Sequence, residues 1–212
     1  KRDGFLGLAR DVVFVLDRSG SMGGAKMASA ARACSILLQT LGPRDRFAIQ
    51  AFDDSQEWMP GGLTAADEGG LAKGDKFLRT IDARGGTEMY GAVGAAIQLI
   101  GKRKDASGRV AVAVLITDGE VGDESRILKR IQTELGDARV FTVGIDTAVN
   151  DGFLKRLASL GGGTASFVVP GDALEEALRA VGREIGAPLV TYLVIDGADE
   201  IAPARLPDLF AG

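Results

Sequence analysis

Histidine is absent from the 212 residues, and Cys34 is the single cysteine. The first absence removes every histidine-based catalytic triad and every histidine general base. The second leaves no partner for an intrachain disulfide, and the two together exclude a Cys/His zinc site. No apolar run reaches the roughly 20 residues that a membrane-spanning helix needs, and no signal peptide is visible. Positive charge is also short: 25 Lys and Arg against 29 Asp and Glu give a net charge of -4. Such a chain lacks the broad positive field that binds phosphate backbones, so no nucleic-acid partner is expected. The chain begins at Lys1 without a methionine, which points to a piece of a longer protein. The compartment is not legible from these features; an extracytoplasmic or cell-surface part of a larger protein is the expectation.

What remains is the composition of an ordinary folded domain, 46% hydrophobic and 25% charged, with length for one sizeable core. Short, almost wholly apolar runs alternate with helical stretches, the pattern of a parallel sheet covered on both faces. The expected fold class is therefore α/β, a doubly wound, mostly parallel sheet of Rossmann-like type. The strand candidates are residues 11 to 17, 45 to 53, 109 to 117, 138 to 145 and 164 to 169. A short antiparallel edge strand is expected near Gln56 to Met59.

Met27, Ala31, Cys34, Leu38 and Leu41 recur at alternating spacings of four and three, one face of a helix that ends before Gly42-Pro43. In that stripe Cys34 reads as a small buried side chain rather than a reactive thiol. Met89, Val93, Ile97 and Ile100 mark a helix over 88 to 101. Ile127, Leu128, Ile131 and Leu135 mark another before Gly136, and Phe153, Leu154, Leu157 and Leu160 a third before Gly161. The last helix is announced by Asp172 and Glu175 as a capping box, with Leu174, Leu178, Val181 and Ile185 facing the core. Residues 64 to 82 are expected to form a broken or short helix, because Gly69, Gly70 and Gly74 interrupt the pattern.

In an open parallel sheet, ligands bind beyond the carboxyl ends of the strands. Three such loops carry oxygen donors: Asp17-Arg18-Ser19-Gly20-Ser21 after the first strand, Gly86-Thr87-Glu88, and Thr117-Asp118-Gly119 after the strand 109 to 117. Asp17, Ser19, Ser21, Thr87 and Asp118 are thus candidate metal ligands. Carboxylates and hydroxyls without nitrogen or sulfur suit a hard cation such as Mg²⁺, which asks for near-octahedral oxygens at about 2.1 Å. Ser19 and Ser21 alternate along the chain and can face one ion together. Taken singly, each of these residues reads as a helix cap or turn former; their joint occurrence on three converging loops is what points to a metal. Glu88, Glu120 and Asp123 need no purpose beyond helix N-termini. Asp53 and Asp54 read as supporting groups or turn formers, Trp58 as packing under the edge strand, and Lys102-Arg103-Lys104 as a solvated helix end.

Asp17-x-Ser19-x-Ser21, a distant Thr87 after paired glycines, and Thr117-Asp118-Gly119 together resemble the metal-ion-dependent adhesion site of von Willebrand factor type A domains. The resemblance spans about residues 10 to 187. Arg18, the LPDLF segment near the end and the flanking strand-like runs make the chain most similar to the inter-alpha-trypsin inhibitor heavy chains and their bacterial relatives. A bias of 17 arginines to 8 lysines leans the same way, towards a high-GC bacterial source. The resemblance implies that Mg²⁺ (or Mn²⁺ or Ca²⁺) is bound directly by Ser19, Ser21 and, in the ligand-engaged form, Thr87. It implies that Asp17 and Asp118 act largely through water, and that a partner Asp or Glu supplies the final ligand. It also implies that residues 1 to 9 and 188 to 212 are flanking strands and tail from an adjoining β-rich region.

Three functions follow as alternatives: a metal-dependent protein-binding module, a Mg²⁺-dependent phosphotransfer enzyme built on Asp17, or a structural spacer with a vestigial site. The enzyme reading lacks a second acid two residues after Asp17, where Ser19 stands, and lacks a G-x-x-x-x-G-K-[ST] loop. Finally, helices in βα units run back along their strands. Arg10, entering the first strand, and Gly186, leaving the last helix, should therefore lie together at the edge away from the metal.

Overall fold

Strands buried on both faces organise the chain, as shown by the computed structural model, which describes residues 8–103, 107–146, 148–169, 178–179, 181–183 and 185. In chain order they are β1 (Ala9–Asp17), β2 (Arg46–Phe52), β3 (Gln56–Trp58), β4 (Thr64–Ala65), β5 (Arg109–Thr117), β6 (Arg139–Ile145) and β7 (Ala165–Val168). The sheet order is β3-β2-β1-β5-β6-β7, with β4 also pairing β2. β2, β1, β5, β6 and β7 run parallel, whereas β3 and β4 are antiparallel to β2. The direction of winding reverses between β1 and β5, so the crevice beyond Asp17 and Thr117 is the place where such sheets take ligands.

The period of two along each strand sorts the core into two layers. Val12, Phe14 and Leu16 of β1, with Val112, Val114 and Ile116 of β5, face α1 (Ala25–Leu38) and α2 (Glu68–Leu78). Leu178, Val181 and Ile185, in and just after the last helical stretch among the described residues, join the same layer. Val13 and Val15, with Ala111, Ala113 and Leu115, face α3 (Met89–Gly101), α4 (Glu124–Glu134) and α5 (Asp151–Leu160). The sheet is therefore mixed parallel and antiparallel, with helices on both faces, and it is Rossmann-like as expected. Among the described residues no helix is long and apolar enough to cross a membrane.

Several local expectations need correction, though α2 is the short helix expected within 64 to 82, 11 residues and unbroken despite its glycines. Asp67 caps it by accepting the Gly70 amide at 2.7 Å, which offsets part of the propensity cost. A Cβ on Gly70 would lie 2.0 Å from the Ala65 carbonyl, so glycine is required there by close approach. The buried face of α1 is Met27, Ala30, Ala33, Cys34, Leu37 and Leu38, with Ala31 only half-buried. Leu160 is 41% exposed rather than part of the α5 stripe. Arg103 is not a solvated helix end: its guanidinium turns in towards Asp11. The capping pair Asp172 and Glu175, Leu174, residues 1–7 and residues 188–212 lie outside the described residues, whereas Ala9 already belongs to β1.

Arg10 Nη1 donates to the Ile185 carbonyl at 3.4 Å, which places the end of the last helical stretch beside the start of β1, at the edge opposite Asp17. Gly186 itself is outside the described residues. Cys34 is fully buried, and burial, assisted by the nearby Asp75 charge, pushes its thiol far above the ordinary range. At neutral pH the folded protein should therefore resist a disulfide-exchange reagent over minutes, and react with one equivalent once denatured. Rapid labelling under native conditions would show that α1 opens locally.

Candidate metal centre

β1 carries Asp17 to the carboxyl edge with no solvent exposure, and both of its oxygens are held. Oδ1 accepts the Ser19 amide at 2.8 Å and Oδ2 accepts the Thr117 hydroxyl at 2.6 Å. The Thr117 hydroxyl in turn accepts the Gly119 amide at 2.9 Å, so the ends of β1 and β5 are tied through Asp17. Burial raises the Asp17 pKa; the hydrogen bonds from Thr117 and Ser19 oppose this, and the charge of Asp118 adds to it.

The chain then turns through a single 3₁₀ segment, Gly20–Met22, anchored by the buried Met22. This turn brings Ser19 Oγ and Ser21 Oγ to 3.1 Å of each other. The loop that bears Thr87 is pinned to this turn by backbone bonds, Arg84 N to Arg18 O at 2.7 Å and Gly20 N to Gly85 O at 3.0 Å. Gly85 has φ 66, and a Cβ there would lie 2.7 Å from Asp54 Oδ2, so both conformation and space call for glycine. Asp54 also accepts the Gly86 amide at 2.8 Å. Thr87 itself forms no hydrogen bond with the other four candidates. It stands half-buried at the lip of a cleft lined by Glu88, Met89, Tyr90, Val121 and Asp123.

Asp118 follows β5 and is almost fully buried. Its Oδ1 accepts the Glu120 amide at 3.1 Å and its Oδ2 lies 3.2 Å from Lys26 Nζ. Lys26 also reaches Asp146 Oδ2 at 2.7 Å, and this hydrogen bond, with that to Asp118, raises its pKa. Sequence patterns gave no sign of Lys26, whose role depends on tertiary contact. Asp146 could have been found, since it follows β6 at the same carboxyl edge.

A second set of charges braces the first turn. Arg18 points away from the site and donates to Asp53 Oδ2 at 3.0 Å and to Glu57; Arg84 Nε donates to the same Asp53 oxygen at 2.9 Å. The Asp53 carboxyl is held well below the ordinary carboxylate range: burial raises its pKa, but bonds from Arg84 and Ser55 and the Arg18 charge outweigh that. Asp53 is thus a clamp between β2 and two site loops. Glu88 caps α3, accepting the Gly91 amide at 3.3 Å, while Asp123 pairs with Arg126 at 2.7 Å. Trp58 packs against the second core layer.

Among the described residues no group of three or more Cys, Asp or Glu side chains is placed to hold a metal ion. The candidate set is of another kind, two carboxylates and three hydroxyls. Asp17, Ser19 and Ser21 are brought together on one turn, Asp118 is tied to them through its neighbour Thr117, which donates to Asp17, and Thr87 arrives on the adjoining loop.

Comparison with known proteins agrees with this architecture. The chain is 29% identical over 226 residues to inter-alpha-trypsin inhibitor heavy chain H4 of Homo sapiens, covering 99% of this chain and 24% of that protein. It spans about a quarter of the length of the curated relatives it matches. Among solved structures, a von Willebrand factor type A protein from Catenulispora acidiphila has a TM-score of 0.73 at 24% identity, covering 87% of this chain and 44% of that one. The vWF domain of the type V pili tip protein from Porphyromonas gingivalis gives 0.67 at 13% identity, with 85% and 96% covered. The manganese-loaded TRAP protein of Plasmodium vivax gives 0.63 at 16% identity, with 82% and 72% covered. The family model for the von Willebrand factor type A domain matches residues 10–167, most of the chain, and with the sheet order and helix layers in agreement the chain belongs to the von Willebrand factor type A domain family.

Proposed function

We propose that this domain is a non-enzymatic protein-binding module in which Asp17, Ser19, Ser21, Thr87 and Asp118 hold Mg²⁺, Mn²⁺ or Ca²⁺, and a partner Asp or Glu completes the coordination. The observation that carries the reading is the 3.1 Å separation of the Ser19 and Ser21 hydroxyls. Neighbouring oxygens of an octahedral site with bonds of about 2.1 Å lie about 3.0 Å apart, so the turn already offers one edge of such a site. The donor set is all oxygen, which fits a hard cation. When bound, the ion supplies an electrophilic centre for an anionic group. The chain's own part is to fix the two hydroxyls, to orient the Asp17 carboxyl through Ser19 and Thr117, and to keep the loops clamped through Asp53. The manganese-loaded state of the Plasmodium vivax relative supports the choice of ion.

Asp17 is poorly placed to be a phosphotransfer nucleophile. It has no exposure, and both oxygens accept hydrogen bonds from Ser19 and Thr117. The proposal includes a longer parent protein, of which residues 1 to 8 and 188 to 212 are adjoining pieces, and an extracytoplasmic or surface setting, supported by the pili-tip relative.

Binding to the folded state alone stabilises by mass action, about 2.7 kcal/mol when the ion is at 100 times its Kd. For a domain of this size that is a rise in Tm of roughly 5 to 10 °C. Mg²⁺ or Mn²⁺ should produce it, and Asp17→Ala or Asp118→Ala should abolish the metal-induced rise whatever their own effect on the baseline. Equal stabilisation of the variants would move the site elsewhere; no stabilisation of the native protein would leave a spacer.

A further inference from the structure

Lys26 enters α1 just behind the Ser19–Ser21 turn and brings a full positive charge to the candidate site. Its ammonium is 3.2 Å from Asp118 Oδ2 and 2.7 Å from Asp146 Oδ2, and the lysine side chain is only 24% exposed. The other Asp118 oxygen is already engaged by the Glu120 amide. One of the two carboxylates that would face the metal is therefore shared with a resident cation. Lysine is a compact point charge, and at a partly shielded position its field is screened less than at the surface.

We infer that Lys26 sets the charge of the site, competing with the divalent cation for Asp118 so that the metal is held less tightly but keeps more positive charge for the partner's carboxylate. The inference rests on the metal-site reading above. Asp146 then has the opposite effect, because it draws part of the ammonium's charge away from Asp118. Removing the lysine uncovers Asp118 and takes a full positive charge away from the metal position, both of which favour a cation. Neutralising Asp146 leaves the ammonium to Asp118 alone. The two substitutions must therefore shift metal affinity in opposite directions. A lysine that merely staples α1 to the loops after β5 and β6 predicts otherwise, since breaking the staple from either side would loosen the site and weaken binding in both variants.

The test is calorimetric titration of Mn²⁺ alone into the native chain, Lys26→Met and Asp146→Asn, with circular dichroism to confirm folding and Lys26→Gln held as a second variant. Lys26→Met should bind about tenfold more tightly, and Asp146→Asn several-fold more weakly. Binding by Lys26→Met where the native chain shows none would support the inference in its strongest form, the ammonium then being a block. If the native chain binds and both lysine variants bind equally or more weakly, the inference fails while the metal site stands. If neither the native chain nor any variant binds, both fail together.

Discussion

Asp11→Ala should lower the unfolding free energy by about 3 kcal/mol, the near end of the range for breaking a buried ion pair, and reduce Tm by roughly 6 to 12 °C in a domain of this size. Asp11 is fully buried at the start of β1, at the edge away from Asp17. Arg46 holds it with two bonds, Nε to Oδ1 and Nη2 to Oδ2, both 2.8 Å. Arg109 Nε donates to Oδ1 at 2.8 Å, and Arg103 Nε lies 3.4 Å from Oδ2 as an ion pair without hydrogen-bond geometry. Arg109 goes on to donate to the carbonyls of Arg10 and Arg44, so the cluster joins the ends of β1, β5 and the turn before β2. Removing the one carboxylate takes away the charge on which the Arg46, Arg109 and Arg103 guanidinium groups converge. Each guanidinium is partly reached by water, which is why the low end of the range applies.

The same carboxylate governs part of the acid limb. Burial alone raises the Asp11 pKa, but the hydrogen bonds and charges of Arg46 and Arg109 outweigh it, and the folded pKa lies below the ordinary value. A depressed folded pKa adds stability that is complete above the unfolded pKa, about 3.9, and is lost as pH falls through the folded one. Asp11→Asn should therefore lose this carboxylate's contribution mainly at neutral pH and show a shallower decline below about pH 4. Full stability of Asp11→Asn at pH 7 would mean that shape rather than charge holds this edge.

How far the sequence spoke depended on whether a feature was local. The strand 109 to 117 was legible to the residue, because a strand buried on both faces is an apolar run bounded by polar residues. The hairpin edge β3 was legible from its position, but two-residue β4 carries no period to detect. Whether α2 is broken or merely short is not legible, because propensity counts the cost of Gly70 and Gly74 but not the packing that requires them: a Cβ on Gly74 would press on Leu38 and Phe47 at 3.1 to 3.3 Å. Arg103 was misread for a related reason, since a basic helix end looks solvated unless the carboxylate it meets, Asp11, is known to be 92 residues earlier and adjacent in space. Of the candidate set, Asp17, Ser19, Ser21 and Asp118 could be proposed from the sequence because they lie at or just after predicted strand ends. The Arg18–Asp53–Arg84 clamp and the Lys26–Asp146 bridge could not, because each joins elements whose neighbourhood only the sheet order defines.

On the proposed metal-site reading, an acidic protein partner should be captured in a strictly metal-dependent way, and chelation with EDTA or Ser19→Ala should each weaken capture at least about 100-fold, some 2.7 kcal/mol. Ser19 is the sharper probe: it is almost fully buried, its hydroxyl is half of the 3.1 Å pair, and its loss removes a donor without adding bulk or charge. The expected size follows from the coordination count. Asp17 has both oxygens engaged by Ser19 and Thr117, and Asp118 has its two engaged by Glu120 and Lys26. Carboxylates so occupied leave a cation with much of its charge and with positions that this chain's loops do not fill, and Mg²⁺ or Mn²⁺ retains exchangeable ligands in such settings. An acidic side chain from outside is the strongest available donor for that place. A crystal structure with Mn²⁺ should show at least one coordination position held by water, a buffer anion or the carboxylate of a neighbouring molecule. Six positions all supplied by this chain's own side chains, or partner capture that survives both EDTA and Ser19→Ala, would make the metal a structural one and remove the adhesion reading.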